Sequence, residues 1–236
     1  MKSIRVLIAA PLKQERKIFK EYQDGIDRLI LPDGVSIDRF YVVNDCPNII
    51  QDIRDKYIVI DTGDQYTKMP DDHFWTQDNL EKMPRLRNAL VRHALEGGYD
   101  YLFSVDTDLV LHPATLQTLL DADKDIVSEI FWTKGWCNAW MYGQSSGMSD
   151  EWKTPGLYRV GMTGACTLMK MDVFRAGVNY SPIDSLTKTL WGEDRWFSIR
   201  AACHGFEMWV DSHYPAEHLF TEAIYQSFIA RRDGNA

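Results

Sequence analysis

The stretch YLFSVDTDLVLHP, residues 101–113, reads as an apolar strand that delivers two carboxylates, Asp106 and Asp108, into the turn behind it. In open α/β sheets ligands gather outside the carboxyl ends of strands, so paired acids there make a site for a hard divalent cation. Mg²⁺ or Mn²⁺ takes one or two protein carboxylates and fills its octahedron with water and phosphate oxygens, which makes a nucleotide diphosphate the expected companion. The same spacing recurs in Asp121, Asp123 and Asp125, but those follow the helical pattern LQTLL, and the strand context sets the first pair apart. The alternative for this turn is structural, with Asp106 capping the next helix and Asp108 solvated.

Working outward, IRVLIAA (4–10) is a fully apolar strand closed by Pro11, and LKQERKIFKEY behind it has the charged periodicity of a surface helix. DRFYVVND (38–45) and YIVIDT (57–62) repeat the buried-strand pattern. Apolar strands alternating with helices predict an α/β fold, a single Rossmann-like domain with a mainly parallel central sheet flanked by helices. Residues 63–79 are polar and aperiodic, a long loop. A helix runs from Pro84 to Glu96 on the stripe Leu86, Ala89, Leu90 and Ala94, and Gly97 and Gly98 end it. Arg85, Asn88 and Arg92 share one row of it. That row faces either a ligand or solvent.

Beyond the acidic turn come a helix over Leu116, Leu119 and Leu120 and the strand DIVSEIFW. From Trp132 to Pro155 the aromatics Trp132, Trp136, Trp140, Tyr142 and Trp152 stand among Gly, Ser and Asn. They form either a loop presenting rings to a ligand or, with three tryptophans spaced by four, one stripe of a short helix. LYRVGMTGACTLMK (157–170) returns to strand, with Gly161, Gly164 and Ala165 allowing close backbone approach. A short helix follows at 171–177, then a helix from about Glu193 to Gly205, the strand FEMWVD and a C-terminal helix.

At 236 residues and 45% hydrophobic the chain can bury one large core, and its net charge of −8 counts against nucleic acid as a partner. A local basic groove stays open. Cys46, Cys137, Cys166 and Cys203 have no metal-ligand spacing and read as reduced thiols of a cytoplasmic protein. The apolar run at the start is too short for a signal peptide or a transmembrane segment.

Taken in order, the strand ending at Pro11, the strand ending at Asp45, LRNAL on a helix, DTD after a strand, GACTLMK, and GED opening a helix resemble the GT-A fold glycosyltransferases, specifically inverting enzymes of the family 2 type. The resemblance covers about residues 4–218. It implies a metal-dependent transferase that moves a sugar from a nucleotide-diphosphate sugar to an acceptor hydroxyl with inversion, with 1–110 as the nucleotide- and metal-binding half and 111–236 as the acceptor half and C-terminal helix. By position, Ala10 and Pro11 line the nucleotide pocket, Asp45 contacts base or ribose, and Arg85 and Asn88 lie beside the donor. Asp106 and Thr107 meet its diphosphate. Asp106 and Asp108 bind Mn²⁺ or Mg²⁺, and a histidine completes the shell, His218 in preference to His213. Gly164 and Ala165 border the acceptor site, Asp194 is the catalytic base, and Glu193 supports the helix start or touches the acceptor.

The chemistry is coherent without the family. Charge develops on a departing diphosphate, a cation stabilises it, and a carboxylate on the other side of the sugar deprotonates the incoming hydroxyl. The rivals are a haloacid-dehalogenase-like phosphatase, whose downstream acid cluster GEDRWF does not supply, and a non-catalytic sugar- or nucleotide-binding module. A nucleotidyltransferase is disfavoured because PLKQE stands where a glycine-rich phosphate loop belongs. Saccharide, lipid-linked saccharide, peptide and modified nucleobase are all open as acceptors, as is the oligomeric state.

Overall fold

In the computed structural model, which describes residues 3–60, 77–141, 150–186 and 192–234, the first apolar strands lie side by side. β1 (Ile4–Leu12) pairs in parallel with β2 (Val35–Asn44), and β2 with β3 (Lys56–Ile60). On its other side β1 takes β4 (Tyr101–Ser104), also parallel. The sheet continues through β11 (Thr167–Lys170), β6 (Ile126–Thr133), β12 (Met208–His218) and β5 (Leu109–Val110). β6 and β12 are parallel to each other, while β11 runs antiparallel to β4 and β6. One mainly parallel sheet thus crosses both halves of the chain.

Alternation along β1 sorts its side chains onto two faces: Leu7 and Ala9 enter one core cluster, and Val6, Ile8, Ala10 and Leu12 the other. The first face is covered by α2 (Gln77–Glu96), α4 (Met171–Arg175) and α5 (Glu193–Cys203). The second is covered by α1 (Arg16–Asp27) and α3 (Thr115–Asp121). The C-terminal α6 (Glu222–Arg232) packs Phe228 against Ile18, Val110 and Leu219.

Several local expectations need correction. β1 does not stop at Pro11 but pairs through Leu12, because Pro11 lacks only a donor and its neighbour Val42 still meets it in register. The helix of the basic row begins at Gln77 rather than Pro84, so Pro84 lies inside it. Most of the expected loop at 63–79 falls outside the described residues. Trp132, Trp136 and Trp140 form neither loop nor helical stripe. They sit on β6, β7 (Trp136–Cys137) and β8 (Ala139–Trp140), where β7 folds back on β6 and β8 pairs with β10 (Met162–Thr163). YIVIDT, read as buried, supplies the edge strand β3 and leaves Tyr57, Ile58 and Val59 exposed.

β12 is the strand that shapes the site. It pairs on one flank with β9 (Leu157–Val160) and on the other with β6 in register Asp211↔Glu129, then Ala216↔Phe131. Five steps on β12 therefore oppose two on β6, a wide bulge at 212–215. Glu129 and Asp211, opposed where the bulge begins, are both buried. Burial, reinforced by Asp211, pushes the Glu129 carboxyl up to about 9; the backbone N–H groups of Tyr214 and Ile130 offset this weakly, and neither oxygen has a full hydrogen-bond partner among the described residues.

Glu129 is accordingly protonated in the native state at neutral pH, whereas an unfolded glutamate ionises near pH 4. Its contribution to stability is complete below the unfolded value and drains away as pH rises toward 9, at on the order of 1 kcal/mol per pH unit. Glu129→Gln keeps the neutral shape and removes the titration. Thermal melts from pH 5 to 9 are expected to show a shallower fall for the variant than for the parent; parallel curves would mean that Glu129 is ionised in the fold.

Candidate functional site

The carboxyl ends of the parallel strands bring the sequence-derived residues to one edge of the sheet. Ala10 and Pro11 are in the last turn of pairing of β1; Ala10 is fully buried in the core, and Pro11 is half-buried at the rim. Asp45 directly follows β2 with φ of 47°, a left-handed conformation that non-glycine residues adopt at a cost, and its Oδ2 accepts from Asn44 Nδ2 at 3.0 Å. Asp106, Thr107 and Asp108 form the turn between β4 and β5, with Thr107 buried.

His218 ends β12 beside that turn. Its Nε2 is 3.4 Å from Asp108 Oδ2, its Nδ1 is hydrogen-bonded to Thr133 Oγ1 at 2.8 Å, and the ring is buried against Phe131 and Phe220. The Thr133 contact fixes the ring so that Nε2 is the nitrogen turned toward the acid. Leu219 N donates to the Asp108 carbonyl at 2.8 Å and clamps the two segments together. His213 is elsewhere, with Nδ1 2.9 Å from Asp211 Oδ2 and its ring exposed to solvent. Among the described residues no three His, Cys, Asp or Glu side chains converge to enclose an ion by themselves. The donor set, a carboxylate and an imidazole side by side with a second carboxylate in the same turn, fits Mn²⁺ or Mg²⁺ completed by phosphate and water rather than a closed protein cage.

On the first core face the acids meet a cation that the sequence reading passed over. Arg87 is 2% exposed. Its Nη1 donates to Ser104 Oγ at 2.9 Å and its Nη2 to Asp106 Oδ1 at 3.0 Å, while its Nε stands 3.6 Å from Glu193 Oε1. Burial opposes the guanidinium charge, but Asp106, Asp194 and Glu193 together outweigh it and hold Arg87 charged. Its neighbours in the expected row behave differently: Arg85 and Arg92 are exposed, and the Asn88 amide is engaged with Tyr180 N and Ser181 Oγ. The available signal was positional. Arg87 falls on the same inward face as Leu90, Val91 and Ala94, where an unpaired charge is costly.

Glu193 and Asp194 begin α5. Glu193 is buried, and burial raises its carboxyl above the usual range against the pull of Arg87. Asp194 keeps partial solvent access yet is surrounded mainly by protein; burial, then the Glu193 charge, raises it well above the carboxylate range. Gly164 leaves room for it, since a Cβ there would lie 3.2 Å from Asp194 Oδ2, and Ala165 beside it is buried. Next along α5, the Arg195 guanidinium lies over the Trp140 ring at 5.5 Å. The arrangement combines an acid of raised basicity with a cation-competent pair across the same edge of the sheet. All four cysteines are free thiols.

No family model and no curated protein sequence matches this chain. Among solved structures it is similar to S. aureus TarS, at 12% identity and a TM-score of 0.56, over 90% of this chain and 60% of that one. The mannosyltransferase PcManGT from Pyrobaculum calidifontis, in complex with GDP-Man and Mn²⁺, matches at 12% identity and 0.55 over 97% and 60%. The catalytic domain of Drosophila β1,4-galactosyltransferase 7, in complex with xylobiose, matches at 12% identity and 0.50 over 88% and 65%. The chain spans about 60% of the length of the first two. At such identities the likeness is one of fold, and the fold is that of a GT-A-type glycosyltransferase. Among the described residues no helix is long and apolar enough to cross a membrane.

Proposed function

We propose that this protein is a glycosyltransferase that moves a sugar from a nucleotide-diphosphate sugar to an acceptor hydroxyl, with inversion, assisted by a divalent cation and acting in the cytoplasm. The observation that carries the reading is the approach of His218 to Asp108 at the carboxyl edge of a GT-A-type sheet, with Asp194 raised in basicity on the helix that faces it. S. aureus TarS has been solved with UDP and with UDP-GlcNAc, and PcManGT with GDP-Man and Mn²⁺. Those complexes support a nucleotide-sugar donor here.

In this mechanism Pro11, Asp45 and Thr107 border the nucleotide, with Ala10 packed beneath it. Asp106, Asp108 and His218 would hold Mn²⁺ or Mg²⁺, whose charge, when bound, stabilises the diphosphate as it departs. Asp194 accepts the proton of the acceptor hydroxyl as that oxygen attacks the anomeric carbon, and a single displacement inverts the configuration. Gly164 keeps the space in front of Asp194 open for the acceptor. Arg85, exposed on α2, and Asn88, whose amide is also engaged with Tyr180 and Ser181, lie beside the donor.

Incubating the protein with UDP-, GDP-, CMP- and TDP-sugars and Mn²⁺ tests the reading. Slow release of free sugar from one of them is expected, as transferases leak to water. Release of phosphate from simple phosphomonoesters would favour the phosphatase, and nucleotide-sugar binding without any turnover the non-catalytic module.

The two histidines make a sharper test. His218→Ala is expected to weaken Mn²⁺ binding in the presence of UDP or GDP by about tenfold or more, the scale of losing one ligand or its support. His213→Ala, which removes the Asp211 contact and a loose ring contact with Tyr214, is expected to leave it within about twofold. A loss confined to His213→Ala would reverse the assignment.

A further inference from the structure

We propose that Arg87 is a positioning residue that couples the cation-side carboxylate Asp106 to the helix carrying the base, so that occupancy of the donor site is transmitted to Asp194. The inference rests on the roles given above to Asp106 and Asp194.

Three features of Arg87 lead there. A guanidinium 2% exposed is tolerated only where acids compensate it, and here they come from two separate segments, the turn after β4 and the start of α5. A buried ion pair of this kind contributes little net stability compared with an apolar replacement, so stability alone is a poor account of its presence. Its two contacts also differ in quality. The Asp106 contact is a hydrogen bond at 3.0 Å, whereas Arg87 Nε and Glu193 Oε1, 3.6 Å apart, are each buried without a hydrogen-bond partner among the described residues.

That unequal pairing defines two arrangements. In the observed one, Asp106 is the acid hydrogen-bonded to Arg87 and Glu193 stands off. When Asp106 turns to a cation and the phosphates, the guanidinium is left with Glu193, and closing the remaining gap satisfies both orphaned atoms. Glu193 and Asp194 are adjacent at the first turn of α5, so the same movement draws the base toward the reacting sugar. Arginine suits the task because its fixed fork addresses Ser104, Asp106 and Glu193 in distinct directions from one plane.

A double-mutant cycle tests the coupling. The readout is the affinity of UDP or GDP in the presence of Mn²⁺, measured by calorimetry in the parent, Glu193→Gln, Arg87→Met and the double variant. Glu193, which touches neither cation nor nucleotide, is expected to change that affinity in the parent and to have no effect once Arg87 is gone, a non-additivity of about fivefold or more. Should Arg87→Met fail to fold, Arg87→Lys keeps the charge without the fork and takes its place in the cycle. In that variant kcat is expected to fall more than KM for the donor rises, a split that a purely structural role would not give. Additive effects with an unsplit kcat and KM overturn the proposal. If the parent binds neither nucleotide with Mn²⁺, the donor-site reading fails first, and the proposal with it.

Discussion

Asp194→Asn is expected to lower sugar transfer by roughly 10²- to 10⁴-fold, the range for removing a positioned general base, while nucleotide and Mn²⁺ binding stay close to those of the parent. The amide fills the same space beneath Gly164 but cannot take a proton. The effect belongs on kcat because Asp194, at the start of α5, acts in this scheme on the acceptor proton and not as a cation ligand. Burial and the neighbouring Glu193 raise Asp194 against the pull of Arg87. Glu193→Gln should cost less, since Glu193 is buried with its Oε1 turned toward Arg87 rather than offered as a base. The stereochemistry is tied to the same residue. Proton NMR of the first-formed product reads the anomer from its coupling constant. A product of retained configuration, or an Asp194→Asn enzyme at near the parent rate, removes Asp194 as the base and leaves the cation site untouched.

Asp108→Asn is expected to weaken cation-dependent nucleotide binding by roughly 2–3 kcal/mol, because a charged ligand to a hard cation is replaced by a neutral one. The fold around it should survive, since the backbone clamp from Leu219 to the Asp108 carbonyl does not involve the side chain. Calorimetry of UDP and GDP with Mn²⁺ and with EDTA separates the cases. Nucleotide affinity indifferent both to EDTA and to the substitution would return this turn to a structural role.

What the sequence made legible follows the range of the interactions. Runs such as IRVLIAA and YLFSV announce buried strands because burial on both faces is written into every residue of them. DTD could be placed at a strand end for the same local reason. Arg87 could not, because its acids stand 19 residues away at Asp106 and beyond a further strand-rich region at Glu193, and only the fold brings them together. The adjacent row of Arg85 and Asn88 carries the more visible local pattern. β3 was misjudged for a related reason: hydrophobicity reports a strand, whereas its rank at the edge of the sheet depends on the order of the others. The three tryptophans spaced by four satisfied a helical count, yet β-branched and aromatic residues accept either state and cross-strand pairing with distant Met162 decided between them.

The bulge in β12 has a bearing on how this protein can change over time. Register is fixed before it, at Asp211 against Glu129 and Leu157, and fixed again after it, at Ala216 against Phe131 and His218 against Leu109. Between those anchors, Tyr214 and Pro215 carry no strand partner in the register. A residue gained or lost there is absorbed as slack, whereas the same event one position inside either anchor would turn every following side chain to the opposite face. The histidine beside the acidic turn is therefore insulated from drift in the length of the strand that delivers it, and lineages of this fold are expected to vary in size at 213–215 while holding both ends constant, Ser212 being tied to Thr154 and Gly156.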